Sequence, residues 1–194
     1  AKENEIIFIN DGSNDKSEAL LKKCKYIKVI TLVSNSGKGN AIKIGLHNSK
    51  YNKILITDGD LELKTSQLKN LMILDKNKDI NFVLGNRFNK IIPLESLWSF
   101  GNFLFTIIFN FTLKTNIPDA LCCAKSFYKV DININKIKSK GFDIDIELSS
   151  MLIKKYKNFK IEKLAYERRN KNQGKKLRIF DGIFILFRIL FIKL

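Results

Sequence analysis

Three carboxylate side chains lie at alternate positions directly after a short strand-like stretch. Residues 54–57 read Ile-Leu-Ile-Thr, and Asp58, Asp60 and Glu62 follow them. Acids at this spacing repel one another unless a cation lies between them, and hard oxygen ligands suit Mg²⁺ or Mn²⁺. The pattern therefore predicts a divalent metal site. A solvated acidic turn has the same short pattern, so the rest of the chain must decide between the two.

Two further polar side chains lie at predicted boundaries between a strand and a helix. Lys38 is flanked by Gly37 and Gly39 at a predicted helix start, where free backbone N–H groups and a cation favour phosphate. Asp11 ends the first predicted strand, where it can accept a hydrogen bond from a base or sugar or serve as an ordinary helix cap. Ligands bind at the carboxyl edge of open α/β sheets, so both residues indicate nucleotide chemistry beside Asp58.

The elements that must position these residues alternate between strands and helices. Strands are predicted over 5–9, 27–32, 53–57 and 80–84, and helices over 15–25, from 38 onward and over 66–77. This order predicts parallel βαβ units in a doubly wound sheet, and hence an α/β fold. At 194 residues without a Pro/Gly/Ser-rich linker, one domain is expected.

Two apolar stretches distinguish the second half. Residues 96–113 carry no charge, and their polar side chains recur at spacings of three and four, on one face of a helix. Residues 179–194 are similar, with twelve large apolar residues of sixteen. Such helices suit a bilayer interface, or packing on the sheet, better than crossing a bilayer. The basic residues between 168 and 178 would attract anionic lipid, although a core helix beside a solvated basic loop is the alternative.

The charge balance restricts the possible partners. The net charge is +16, from 35 Lys and Arg against 19 Asp and Glu, which is compatible with nucleic acid, anionic lipid or a polyanionic substrate. The aromatic residues concentrate in the apolar stretches instead of alternating with basic residues, which argues against nucleic acid. An even spread of Lys over the surface remains an alternative. The three cysteines lack the spacing of a zinc site or a disulfide framework.

Several strings of residues, in one order along nearly the whole chain, resemble the family 2 glycosyltransferases of GT-A fold. Within that family they are similar to the branch of dolichyl-phosphate mannose and glucose synthases. The strings are Ile9-Asn10-Asp11-Gly12-Ser13 and the segments 35–41, 58–62, 85–88, 119–125, 141–147 and 166–182. The resemblance implies a mainly parallel, Rossmann-like sheet flanked by helices. It implies a catalytic domain over 1–178, amphipathic interface helices in the second half, and a membrane-associating helix over 179–194.

The resemblance also implies a donor and a metal. The donor would be a nucleotide-diphosphate sugar bound by Asp11, Lys38 and Asp58. The metal would be Mg²⁺ or Mn²⁺, held by Asp58, Asp60 and Glu62.

Catalysis and acceptor binding are implied in the same way. Asp60 and Arg87 would act in catalysis, and Arg169, Lys175 and Lys176 would hold the phosphate of a polyprenyl phosphate acceptor. The implied reaction is inverting hexosyl transfer at the cytoplasmic face of the cell membrane.

Some positions depart from the family pattern. Asn10 and Gln173 replace acids usual in the family, and 94–95 read Leu-Glu where some relatives carry Arg. The family's opening strand has no counterpart here, so an N-terminally truncated chain is expected. Two alternatives follow: transfer to a glycan or other hydroxyl acceptor, with Glu147 as a candidate base, or an inactive fragment.

Overall fold

The computed structural model describes residues 4–15, 17–88, 96–169 and 179–192. In these ranges, the strands form two sheets. β1 (Ile7–Asn10) and β2 (Lys28–Thr31) pair in parallel. The second sheet has the order β3-β5-β4-β6 and consists of β3 (Lys53–Ile56), β4 (Phe82–Asn86), β5 (Lys125–Tyr128) and β6 (Lys160–Lys163).

The larger sheet is mixed, which modifies the expected mainly parallel arrangement. β4 pairs with β6 in parallel, whereas β5 runs antiparallel to both β3 and β4. β5 was not predicted, because its Lys-Ser-Phe-Tyr sequence has no strand-like apolar run, yet every residue of it is buried. The parallel direction was predicted from the alternation of strands and helices, and the antiparallel strand is the one that this alternation did not include.

Helices cover both sheets, as expected for an α/β fold. They are α1 (Ser17–Lys22), α2 (Lys38–Asn48), α3 (Leu97–Leu113), α4 (Ile144–Lys155) and α5 (Ile179–Leu190). The helix predicted over 66–77 is wrong: two short 3₁₀ segments, Thr65–Leu71 and Lys76–Lys78, occupy this region. The Asp75 side chain accepts a hydrogen bond from the Asn77 amide, a local contact that competes with helical pairing.

α3 directs its polar side inward. Ser96 caps it by accepting a hydrogen bond from the Ser99 amide at 3.1 Å, and Ser99, Asn102 and Thr106 are buried. Further along, the Asn110 side chain donates to the carbonyl of Ile117 and accepts from its amide, at 2.9 and 3.0 Å. The polar stripe of the helix therefore bonds to the domain, and its apolar side faces outward.

α5 packs against α3 and α4. Ile185 and Ile189 of α5 are buried, and so are Ile144 and Leu148 of α4. Arg188 donates to the Asp143 carboxylate at 2.9 and 3.0 Å, so an ion pair fixes the helix to the start of α4. No helix in the described ranges combines the length and the hydropathy that a bilayer crossing requires.

Candidate active site

The loop after β3 carries the three acids predicted to bind metal. Leu61, between Asp60 and Glu62, has a left-handed backbone with φ of 62°. This conformation is costly for a residue with a Cβ atom and concentrates at functional sites. The amide of Glu62 donates to Asp60 Oδ1 at 3.2 Å, so the two acids belong to one tight turn. We call Asp60 and Glu62 the acid pair.

The segment after β6 runs antiparallel to the end of this loop. Leu63 and Tyr166 form an isolated bridge, and the Glu167 amide donates to the Glu62 carbonyl at 2.8 Å. This pairing brings Arg169 onto the acid pair: its Nη2 lies 2.9 Å from Asp60 Oδ2, and its Nε lies 3.7 Å from Glu62 Oε1. A single guanidinium therefore bridges both carboxylates.

Asp58 faces a different cation. Lys38 Nζ lies 2.9 Å from Asp58 Oδ2 and 2.7 Å from Asp145 Oδ2, at the start of α4. The other oxygen of Asp145 lies 3.2 Å from the Nζ of Lys125, a fully buried residue of β5. Alternating charges therefore run from the interior of the sheet to its edge. We call this set, Lys125, Asp145, Lys38 and Asp58, the charge chain.

In the charge chain, burial and ion pairing shift the pKa values of Lys38 and Asp145 in opposite directions. Burial lowers the pKa of Lys38, but the carboxylates of Asp145 and Asp58 outweigh it and hold that pKa well above its ordinary value of 10.5. Burial likewise raises the pKa of Asp145, and Lys38 and Lys125 bring it below 3.8. Both groups are consequently charged at neutral pH.

The turn before α2 is held by Asp11. One oxygen of its carboxylate accepts from the amide and hydroxyl of Ser36 at 2.7 and 2.9 Å, and the other accepts from the Gly37 amide at 2.9 Å. Gly37 has φ of 93°, and a Cβ there would collide with the carbonyl oxygen of Lys140. Asp11 therefore orders the turn that presents Lys38, in addition to any contact with a ligand.

Arg87, which the resemblance places in catalysis, forms an ion pair with another residue. Its Nε and Nη2 lie 2.7 and 2.9 Å from the two oxygens of Asp119, which is fully buried. Burial lowers the pKa of Arg87, but Asp119 raises it well above its ordinary value. This bidentate pair joins the end of β4 to the loop before β5, which indicates a positioning role for Arg87.

A comparison of the sequence with known families identifies the chain. The sequence profile described as Glycosyl transferase family 2 matches residues 1–133. The chain belongs to glycosyl transferase family 2. The prediction of a glycosyltransferase is thereby confirmed at the level of the family.

Curated relatives of this family 2 chain include dolichyl-phosphate enzymes. Dolichyl-phosphate beta-glucosyltransferase of Mus musculus is 42% identical over 73 residues, which cover 34% of this chain and 22% of the mouse protein. Dolichol-phosphate mannosyltransferase of Saccharomyces cerevisiae is 23% identical over 161 residues, 78% of this chain and 60% of the yeast protein. The resemblance to this branch is confirmed, and the chain spans less than two thirds of either relative.

Solved structures confirm the GT-A fold of this family 2 chain. Glucosyl-3-phosphoglycerate synthase from Mycobacterium tuberculosis, in complex with uridine diphosphate, superposes with a TM-score of 0.69 at 13% identity, over 96% of this chain and 68% of that one. The same enzyme with Mn²⁺, UDP-glucose and phosphoglyceric acid gives a TM-score of 0.68. At this identity the likeness shows the fold alone.

The three predicted metal ligands of this family 2 chain do not form one cluster. Across the described ranges, no three His, Cys, Asp or Glu side chains are grouped as metal ligands. Asp58 faces Lys38, whereas the acid pair converges on one cation, Arg169. Mg²⁺ is commonly held by one or two carboxylates, with substrate phosphates as further ligands. The acid pair fits that donor set, and Asp58 belongs to the charge chain.

Several charged residues of the site were not assigned a role from the sequence. Asp145 lies in the segment 141–147, whereas Asp119 and Lys125 lie in the segment 119–125, and only the fold brings each to its partner. The available signal was that both segments belong to the strings that resemble the family. Glu147, the candidate base, accepts from the amides of Lys138 and Ser139 and lies 3.6 Å from Arg188.

The expected acceptor-phosphate residues are described only in part. Lys175 and Lys176 lie outside the described residues. Arg169 contacts the acid pair, and the neighbouring Arg168 donates to the hydroxyls of Ser96 and Ser99 at 2.7 and 2.8 Å. Two consecutive arginines thus connect the loop after β3 to the start of α3.

Proposed function

We propose that this protein is an inverting glycosyltransferase that moves a hexose from a nucleotide-diphosphate sugar to a polyprenyl phosphate, at the cytoplasmic face of a membrane. One observation carries the proposal: Arg169 contacts the acid pair while Arg168 contacts the first turn of α3. The charged edge of the sheet is therefore adjacent to a helix whose outer side is apolar. An acceptor that combines a phosphate with a lipid chain matches both halves of this arrangement.

The donor half rests on the charged edge. Lys38 opens α2, where a helix N-terminus and an ammonium group both favour phosphate, and Asp11 orders the preceding turn. The M. tuberculosis relative was solved with Mn²⁺ and UDP-glucose, which supports a metal-assisted nucleotide-sugar donor for this chain as well. The acid pair would hold the Mg²⁺ or Mn²⁺. Such a cation neutralises the leaving diphosphate as the sugar carbon gains oxocarbenium character.

The acceptor half rests on the absence of a poised base among the acids of α4. Asp145 lies between two lysines, Asp143 accepts from Arg188, and Glu147 accepts two backbone amides. Each of these carboxylates is therefore occupied by partners within the domain. A phosphate acceptor is already ionised at neutral pH and needs little help from a general base. These contacts favour a phosphate acceptor over the hydroxyl alternative.

The membrane half rests on α3 and α5, which pack side by side. Ten large apolar side chains are exposed along these helices and the residue after α5, and we call this set the apolar face: Phe100, Leu104, Ile107, Phe111, Phe180, Ile183, Phe184, Phe187, Leu190 and Phe191. On each helix they recur at helical spacing along one side. Soluble monomers rarely expose so much contiguous apolar surface, and an interfacial helix pair uses such a surface to enter a bilayer. We therefore propose that residues 179–194 associate with the membrane without crossing it.

The test is transfer of radiolabelled sugar into an organic phase. The protein is incubated with Mn²⁺, undecaprenyl phosphate and either UDP-glucose or GDP-mannose, with undecaprenol as the matched acceptor that lacks a phosphate. We expect label in the organic phase with one donor and only with the phosphorylated lipid. Donor consumption with all label in water-soluble glycan would instead support the hydroxyl-acceptor alternative.

A further inference from the structure

Arg169 occupies the oxygens that a divalent cation would need. In addition to the contacts of its guanidinium with both carboxylates, its backbone amide donates to Glu62 Oε1 at 3.0 Å. The three side chains are only partly exposed: 29% for Arg169, 24% for Asp60 and 16% for Glu62. One positive charge of the chain itself therefore already lies against the two carboxylates of the acid pair.

A guanidinium and a divalent cation cannot share these oxygens. Mg²⁺ binds at about 2.1 Å from a carboxylate oxygen and requires near-octahedral geometry, so its ligands must present lone pairs that a guanidinium no longer covers. Two cations on one side of the same carboxylates would also repel each other strongly in a partly buried site. Binding of the metal through these two oxygens, Asp60 Oδ2 and Glu62 Oε1, therefore displaces Arg169.

Lys38 is held more firmly than Arg169. Its side chain is 14% exposed, and the buried carboxylate of Asp145 holds it from the side opposite Asp58. If Lys38 were displaced, Asp145 would keep its ion pair with Lys125, but the largely buried ammonium group of Lys38 would lose its nearest carboxylate. The guanidinium on the acid pair is consequently the cation that can leave.

We propose that Arg169 is an exchangeable counter-cation: a divalent cation takes its position on the acid pair, and the released guanidinium binds the phosphate of the acceptor. The second step rests on the proposed function, which supplies the identity of the anion. Arg169 adjoins Arg168, which bonds to the first turn of α3, so it is close to the apolar face when released. Metal and acceptor phosphate then favour each other's binding, because both bind the state in which Arg169 has left the acid pair.

The first measurement is the affinity for Mn²⁺, from the electron paramagnetic resonance signal of free Mn²⁺ during a titration of the protein without donor. Arg169→Gln removes the competing cation, and we expect it to bind Mn²⁺ about tenfold more tightly than the wild type, since a charge-assisted contact is lost only from the metal-free state. Arg168→Gln is the matched control, because it removes the same charge one residue away without touching the acid pair. It should stay within about twofold of the wild type, since salt screens charges outside the site.

Three results of this titration would overturn the proposal. Arg169→Gln could bind Mn²⁺ no more tightly than the wild type, which would make the guanidinium a structural partner of the acid pair. Alternatively, both variants could tighten binding equally, which would reduce the effect to net charge. Absence of Mn²⁺ binding by the wild type would overturn both the exchange and the metal assignment.

A second measurement follows the guanidinium directly. The Nε–H resonance of Arg169, assigned by its loss in Arg169→Gln, should shift on addition of Mg²⁺ as the ion pair with the acid pair breaks. A resonance that stays unchanged while Mg²⁺ binds would exclude exchange. If the wild type exchanges Arg169 for the metal but transfers no sugar to the lipid, the proposed function is refuted and the exchange stands. If the wild type transfers sugar to the lipid but Arg169→Gln binds Mn²⁺ no more tightly, the exchange is refuted and the proposed function stands.

Discussion

At the scale of single residues, most carboxylates of the candidate site form an ion pair with a basic side chain. Lys38 forms ion pairs with both Asp58 and Asp145. Asp145 also pairs with Lys125, whose side chain is fully buried. Desolvation of so many charges is costly, and only close pairing offsets it. The charge chain therefore fixes the orientation of the Lys38 side chain and keeps its ammonium group protonated. A cation that binds phosphate requires both.

Asp145→Asn tests the charge chain. The change leaves the buried ammonium of Lys125 facing a neutral amide, and removal of one partner of a buried ion pair typically costs about 3 to 5 kcal/mol. We expect a loss of that order in the free energy of unfolding, measured by urea denaturation. The double variant Asp145→Asn with Lys125→Met removes the orphaned cation and should recover most of the loss. Unchanged stability of the single variant would contradict the charge chain.

The same residue predicts the pH dependence of stability. The folded state lowers the pKa of Asp145 below 3.8, so its stabilisation is fully present above that pH and is lost as the pH falls through the lower folded value. Lys38 has a raised pKa, and its contribution is therefore complete at every pH below 10.5. Urea denaturation should show the wild type losing stability below about pH 4 more steeply than Asp145→Asn. Parallel profiles of the two proteins would contradict this assignment.

Sequence reasoning found the acids after β3 and Lys38 because each stands in a short local motif. It could not find the partner of Lys38, since Asp145 lies 107 positions further along the chain. It also did not find the partner of Arg87, since Asp119, which accepts from its Nε and Nη2, lies 32 positions away. Residue types at the site were thus predictable from spacing, but the pairing of charges depends on the folded topology.

At the scale of elements, the start of α2 positions the cation of the site. Gly37 permits the left-handed turn and the close approach of 139–141, and the Gly39 amide donates to the Lys140 carbonyl at 2.8 Å. The strands that end at this edge were predicted within about two residues, because their apolar runs are unmistakable. β5 and its antiparallel direction were not predicted, since the pairing of this strand depends on partners distant in sequence.

Gly37→Ala tests this turn. Alanine at a φ of 93° is strained, and its Cβ would meet the Lys140 carbonyl, so we expect a loss of about 2 kcal/mol or more in the free energy of unfolding and weaker donor binding. Gly45→Ala is the control within α2, because its Cβ would make an ordinary contact of 3.7 Å with Ile9. It should stabilise the protein by about 0.5 to 1 kcal/mol. Equal effects of the two substitutions would contradict the account of the turn.

At the scale of the whole molecule, α3 turns its polar side toward the domain and its apolar side outward, the opposite of an ordinary surface helix. Its polar stripe bonds to the domain and its apolar side joins that of α5 in the apolar face. The sequence predicted both helices and the stripe, but not which side would face outward, because a helical pattern alone carries no information on the surroundings of the helix. With a net charge of +16, the protein is suited to an anionic bilayer surface.

Phe184→Asp tests membrane association. Burial of a large apolar side chain contributes about 2 kcal/mol, so its replacement by an acid should weaken binding to vesicles with anionic lipid at least tenfold in a sedimentation assay. Val33→Asp is the control, because Val33 is a fully exposed apolar residue outside α3 and α5. Equal loss of binding in both variants would reduce the effect to charge, and no loss in Phe184→Asp would exclude the apolar face as the membrane contact.

The central claim is that the acids after β3 bind the diphosphate of the donor through a divalent cation. Calorimetric titration of UDP and GDP in the presence and absence of Mn²⁺ tests it most directly, with Glu167→Ala, the loss of an exposed acid near the site, as the control for Asp60→Ala. We predict that one nucleotide binds only with Mn²⁺, that Asp60→Ala abolishes this binding without unfolding the protein, and that Glu167→Ala retains it. Nucleotide binding that is independent of Mn²⁺, or that survives in Asp60→Ala, would contradict the claim.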